Sequence, residues 1–157
     1  MNNIPSIKVV LGGTPMGGKT TILSCFARRI QNSHFTVQVE ETKRTVQLNI
    51  AFSQIHLHFM TVQGPFLTKE FFPELLTNAR VMIFVVSAAT SKEEQYPIFE
   101  QYVSYAARVG AHWNDIPWIF VLNYVDMGNQ NPLLAHIPPQ FHGDIIRCIA
   151  REDKGIE

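Results

Sequence analysis

Apolar positions along this chain change period several times, and each change marks an element. Ile7 to Leu11 is a short, largely β-branched run ending in Gly12-Gly13, and from Lys19 onward Ile22, Leu23, Phe26, Ala27 and Ile30 recur at helical spacing. The opening reads as strand, glycine loop, helix. Val46, Leu48, Ile50 and Phe52 then alternate with polar or small residues, and Ile55, Leu57 and Phe59 resume the alternation after Ser53-Gln54, which predicts an antiparallel hairpin. Two strands therefore follow the first helix. Beyond Gly64-Pro65, Lys69 to Ala79 has helical spacing, and Val81 to Ser87 is a continuous apolar run of the kind found in strands buried on both faces. A helix is predicted from about Tyr96 to Val109, a buried strand at Trp118 to Leu122, at most a short helix within Gly128 to Gly143, and a last strand at Ile145 to Ile149. This alternation predicts the α/β class, a mainly parallel sheet flanked by helices, with ligands at the carboxyl ends of the strands.

Composition narrows the class. With 157 residues, 46% of them hydrophobic and 17% charged, the chain fits one domain with a sizeable core and not a disordered segment. Thirteen basic residues balance thirteen acidic ones without long runs, which removes the electrostatic case for general nucleic-acid or anionic-membrane binding. Any anion site has to be local. The two cysteines, Cys25 and Cys148, lie far apart in segments read as a helix and a strand, which suits reduced, buried thiols in a cytoplasmic protein. Met1 to Val10 lacks a basic n-region and a cleavage site, and the longest apolar runs are too short to span a bilayer. A soluble protein is expected. No internal repeat, low-complexity tract or linker interrupts the chain.

The local anion site has a candidate. Gly13-Thr14-Pro15-Met16-Gly17-Gly18-Lys19-Thr20 matches G-x-x-x-x-G-K-[ST] between a predicted strand and a predicted helix, the context that gives the pattern its meaning. Glycines let the loop wrap closely so that successive backbone N–H groups point at phosphate oxygens. Lys19 supplies a point charge to the β and γ phosphates, and Thr20 offers a hydroxyl to Mg²⁺. At average glycine usage of about 7%, a chance match in a chain of this length is on the order of one in two hundred. A glycine-rich turn with a solvated lysine is the poorer account.

Four further segments narrow the choice among P-loop proteins. Thr61-Val62-Gln63-Gly64 stands where small GTPases place D-x-x-G, and Asn123-Tyr124-Val125-Asp126 where they place N-K-x-D. Cys148-Ile149-Ala150-Arg151 resembles the S-A-K loop, and Glu41-Thr42-Lys43-Arg44-Thr45 resembles the E-T-E-R-T of the bacterial MglA branch, whose members also carry Thr before V-x-G. Order and spacing cover nearly the whole chain. The sequence thus resembles the Ras-like small GTPase superfamily, in its MglA-like branch of gliding-motility and polarity proteins. The resemblance implies a P-loop NTPase fold, a single Ras-like G domain over residues 1–157 that lacks or truncates its C-terminal helix.

It also implies roles. GTP or GDP with Mg²⁺ would be held by Gly13, Thr14, Met16, Gly17, Gly18, Lys19, Thr20 and Thr21, by Asn123, Tyr124 and Asp126, and by Ala150 and Arg151. Asp126 would accept from guanine N1–H and the 2-amino group, where adenine presents an acceptor instead, so guanine is expected over adenine. Asn123 would tie the base loop to the phosphate loop, and the Ala150 backbone would donate to guanine O6. Tyr124 replaces the family's lysine, trading a cation for an aromatic face. Thr20 and Thr45 would serve the metal. Arg44 reads equally as a residue approaching the phosphates or as a solvated strand edge.

Catalysis is where the chain departs from its family. The water-orienting glutamine after the switch II glycine is replaced by Pro65, with Gln63 two positions earlier beside Gly64. Gln63, Gly64 and Arg44 are the remaining catalytic candidates, and slow or partner-assisted hydrolysis is expected. Thr61 removes the carboxylate that holds a magnesium-bound water, leaving Mg²⁺ to Thr20 and the nucleotide. The resemblance implies a molecular switch with a protein effector or regulator, a Roadblock-fold protein among them. A nucleotide-binding scaffold without catalysis is the competing class, and an ATP-using enzyme is disfavoured by Asp126. His56 and His58 share a strand face without a third ligand and read as structural or solvated histidines. Phe66, Phe71 and Phe72, the pair Arg28 and Arg29, and Trp113 and Trp118 read as packing or solvated face. A chain that ends at Glu157 stops in the expected first turn of a last helix, so either the chain is expected to be a fragment of a longer protein or another segment or subunit is expected to cover the sheet there.

Overall fold

The computed structural model describes residues 3–14, 17–31, 36–42, 44–62, 68–124, 145–148 and 152. In chain order these form β1 (Ser6–Gly13), α1 (Lys19–Gln31), β2 (Thr36–Glu41), β3 (Thr45–Ala51), β4 (His56–Val62), α2 (Phe71–Leu76), β5 (Ala79–Ser87), α3 (Lys92–Arg108), β6 (Trp118–Asn123) and β7 (Ile145–Arg147). One seven-stranded sheet has the order β2-β3-β4-β1-β5-β6-β7. β2, β3 and β4 pair antiparallel, and every other neighbouring pair is parallel. The expected α/β sheet, mainly parallel and flanked by helices, is what the chain forms.

Strand alternation divides the core between two faces. On one, Val10, Met60, Met82, Phe84, Trp118, Phe120 and Leu122 pack under Phe72, Leu75 and Leu76 of α2 and Phe99, Tyr102 and Ala106 of α3. On the other, Val9, Leu11, Leu48, Ile50 and Phe59 pack under Leu23 and Ala27 of α1. The α1 side continues over β5 to β7 with Val81, Ile83 and Ile119 half-buried and Ile146 43% exposed. Parallel strands covered on both sides read as continuous apolar runs, which is why β5 and β6 were legible.

Other elements differ from the pattern-based expectation. Three strands, and not two, follow α1, because β2 is held by its ladder to β3 while most of its side chains stay exposed. An edge strand that buries little leaves no apolar signature. Its turn to β3 is closed by a side chain: Thr42 Oγ1 accepts from the N–H of Arg44 (3.2 Å) and of Thr45 (3.0 Å). α2 is shorter than Lys69 to Ala79. Its end is fixed from outside, since Lys8 Nζ donates to Glu74 O and Thr77 O, both at 3.0 Å, and Asn78 turns left-handed at φ 63°. α3 starts at Lys92, before the apolar spacing does, and carries Pro97 inside. Its first turn is held by Gln95, whose buried amide accepts from Ser87 N–H (2.8 Å) and donates to Ser87 O (2.9 Å) and Thr90 O (2.8 Å). Among the described residues no helix is long and apolar enough to cross a membrane.

Tyr102 joins the core to the end of β1. It is fully buried, edge-on to Phe72 and Phe84, and a Cβ added to Gly12 would stand 2.7 Å from its Cε1. The ring has no room to retreat, so Gly12→Ala is expected to destabilise the fold by about 1–3 kcal/mol. Urea denaturation measures this, and a midpoint within error of the parent would refute the close packing.

Candidate phosphate-binding site

The site lies where β1 gives way to α1. Gly13 is left-handed at φ 139°, and a Cβ there would overlap the Val85 carbonyl oxygen, so the chain leaves the sheet pressed against β5. Gly17 N–H then donates to Thr14 O (3.1 Å), and Ile22 N–H to Gly18 O (2.9 Å) as the first helical bond. That start leaves the amides of Lys19, Thr20 and Thr21 outside the helical ladder, with the positive end of the α1 dipole behind them. Lys19 folds back over the loop, donating to Thr14 O (2.6 Å) and Gly13 O (3.2 Å) at 5% exposure. Burial lowers its pKa from 10.5 to about 8. Among the described residues its hydrogen bonds reach carbonyl oxygens and no carboxylate. Thr14 is equally buried, and among the described residues its Oγ1 has no hydrogen-bond partner.

The end of β6 grips the same loop. Asn123 is fully buried; its Nδ2 donates to Gly17 O (3.1 Å), and its Oδ1 accepts from Cys148 Sγ (3.5 Å). Ala88 N–H donates to Asn123 O (2.9 Å), so the ends of β5, β6 and β7 and the loop form one linked unit. A Cβ on Gly18 would overlap the Asn123 amide nitrogen. Tyr124 follows in the left-handed region, φ 59°, which costs a side-chain-bearing residue about 1–2 kcal/mol.

The remaining sequence candidates fall into two groups. Thr20 is exposed and Thr21 half-buried in the first turn of α1. Thr45 opens β3 at 8% exposure, with its hydroxyl 3.1 Å from Thr42 Oγ1 inside the hairpin turn. Arg44 is exposed, and its guanidinium lies 5.8 Å from the Phe71 ring centroid. Thr61 is fully buried and donates its hydroxyl to Leu11 O (2.9 Å). Met16, Gln63, Gly64, Pro65, Asp126, Ala150 and Arg151 lie outside the described residues. His58 Nε2 is 2.7 Å from Gln47 Oε1, and among the described residues no three metal-ligating side chains cluster. Cys25 and Cys148 are buried and form no disulfide with each other. Sequence reasoning missed Gln95, the Cys148 contact and the support from Tyr102, because each acts through a partner far along the chain.

These residues fit an oligophosphate anion. The loop is glycine where a Cβ would strike Val85 O or the Asn123 amide, the nearby ammonium meets only carbonyl oxygens among the described residues, and the first turn of α1 begins beside it. For Mg²⁺ the chain offers Thr20, with the rest of an octahedral set left to phosphate oxygens and water. Thr61 brings a hydroxyl, which donates to Leu11 O, and no carboxylate to hold a metal-bound water.

Charge and burial set a pH dependence. An unfolded lysine keeps its proton to 10.5 while Lys19 releases it near 8, so between these values the unfolded chain binds more protons and the ligand-free fold gains stability as pH rises. An anion holds Lys19 protonated, so pyrophosphate affinity, corrected for the ligand's own protonation and referred to Lys19→Met, should be flat below pH 8 and fall by about tenfold per unit above it. Isothermal titration from about pH 6.5 to about pH 10 measures this. Lys19→Met should abolish binding and stabilise the ligand-free protein, by on the order of 2 kcal/mol. No protein-family model matches this chain and no similar curated protein is found.

Proposed function

We propose that this chain is a guanine-nucleotide-binding switch that holds GTP or GDP with Mg²⁺. The observation that carries the reading is the buried Lys19 ammonium, placed against carbonyl oxygens in a glycine loop at the head of α1. A buried charge without a counter-charge is costly, and an oligophosphate supplies one. The Asn123 to Gly17 bond supports a site in which base and phosphate loops move as one. Guanine is favoured over adenine by Asp126, on the sequence argument alone. A γ-phosphate would recruit Thr45 through the metal, drawing its hydroxyl away from Thr42 Oγ1, now 3.1 Å from it. A protein partner, with a Roadblock-fold protein implied by the resemblance, would then read or assist the GTP form.

Hydrolysis is slow in this reading, because Pro65 has no side-chain amide and the Thr61 hydroxyl is committed to β1. The same Thr61 bond favours a second reading, a nucleotide-binding scaffold without turnover. Titration with GDP, GTP and ATP tests both: guanine nucleotides should bind at least about a hundredfold more tightly than ATP, and Asp126→Ala should erase the difference. Equal affinity for ATP would overturn the guanine assignment. Single-turnover GTP cleavage then separates switch from scaffold. The rate should be low in the parent and rise in Pro65→Gln; no cleavage by either protein selects the scaffold.

A further inference from the structure

We infer that the free edge of β2 pairs with β2 of a second copy of this chain, antiparallel about a two-fold axis at Gln38, so that two sheets join into one. Bond direction along the edge is the first observation. Thr42 N–H donates to Thr45 O (2.9 Å), and bonded pairs in an antiparallel ladder recur at every second residue. Glu40 with Gln47, Gln38 with Asn49 and Thr36 with Ala51 are therefore the bonded pairs between β2 and β3. The far side of β3 agrees, since Phe52 N–H donates to Ile55 O (2.9 Å), which turns Ile50, Leu48 and Val46 toward β4. Val37 and Val39 thus turn their N–H and C=O groups outward, and β2 is the last strand of the sheet on that side.

Side chains on this edge fit a copy of itself. Val37 packs toward the α1 cluster, and Val39, two residues on, shares that face at 53% exposure, the highest among the exposed large apolar side chains of the described residues. Edges are usually blunted by lysine, proline or a bulge, and Thr36–Glu41 has none of the three. Its charge sits at one end, in Glu40 and Glu41. A parallel partner would bring like charges together, whereas antiparallel pairing about Gln38 sets Glu40 opposite Thr36 of the second copy. That register alone pairs both valines with valines, Val37 opposite Val39 on each side of the axis, and each such pair exchanges its outward bonds. Moving the axis to Val39 would set Val37 against Glu41. The contact is isologous, so it uses up the edge and closes at two copies. One strand edge buries less than the roughly 1,000 Å² of a stable complex, so the association is weak.

Sedimentation velocity from about 10 to about 500 µM tests this, and the parent should self-associate with a Kd on the order of 100 µM. Val39→Pro removes an outward N–H that β3 does not use. It should stay monomeric throughout while melting within about 3 °C of the parent. Gln38→Cys sets two thiols opposite each other at a non-bonded pair, with Cα atoms about 4.5 Å apart, and should give a disulfide-linked dimer under oxidised glutathione. Val39→Cys should not, because its thiols then stand on Cα atoms more than about 7 Å apart. The parent, whose Cys25 and Cys148 are buried, should stay unlinked. A parent that remains monomeric at the highest concentration overturns the inference and leaves the edge to a strand of another protein. So does a dimer that survives Val39→Pro, or a Val39→Cys protein that links in preference to Gln38→Cys. A Val39→Pro protein that fails to fold also overturns it, since β3 would then be taking the Val39 N–H. None of these outcomes depends on a bound nucleotide.

Discussion

A buried positive charge organises this molecule. Lys19 sits at 5% exposure with its ammonium on two loop carbonyls, and desolvation pulls its pKa down to about 8. Left alone, that arrangement opposes folding. It persists because the surrounding sheet and helices hold the loop in one path. Gly13 is pressed on β5, Gly17 is bonded to Asn123, and Tyr102 fills the space beneath Gly12. Stability made elsewhere in the fold is spent at one place, the pattern expected of a ligand site.

Sheet order explains how residues a hundred positions apart meet there. β5 lies between β1 and β6, its register setting Val85 beside Gly13 and Ser87 beside Asn123. The carboxyl ends of β5 and β6 are therefore level, and β1 ends two residues short of them, beside Val85. The carboxyl ends of parallel strands are where ligands generally sit in open sheets. Gln95 and Ala88 secure the β5 end of that row, and Cys148 secures its β7 end through Asn123.

The antiparallel half of the sheet has a different character. β2 is an exposed edge, and the turn that joins it to β3 is closed by Thr42 rather than by burial. Such segments open at lower free energy than the parallel core. The residues proposed to respond to a γ-phosphate, around Thr45, lie on this softer side, while the glycine loop proposed to hold the phosphates is tied to the parallel strands. A division of that kind would let a ligand reorganise one region without loosening the site that holds it.

How much of this the chain declares on its own depends on the range of the interactions involved. Local patterns gave the α/β class, the strand, glycine loop and helix around Lys19, the buried strands β5 and β6, and the loop motif itself, since period, glycine spacing and apolar runs are written in neighbouring residues. Tertiary structure decided what needed a distant partner. Lys8 ends α2 through two carbonyls, Gln95 starts α3 ahead of its apolar stripe, and β2 exists because β3 supplies its ladder. The same holds at the site: the sequence named Asn123 and Tyr124, but only packing turned Tyr124 left-handed and brought both side chains onto Gly18. Backbone conformation at one residue reflects everything that presses on it, and no stretch of neighbouring sequence contains that information.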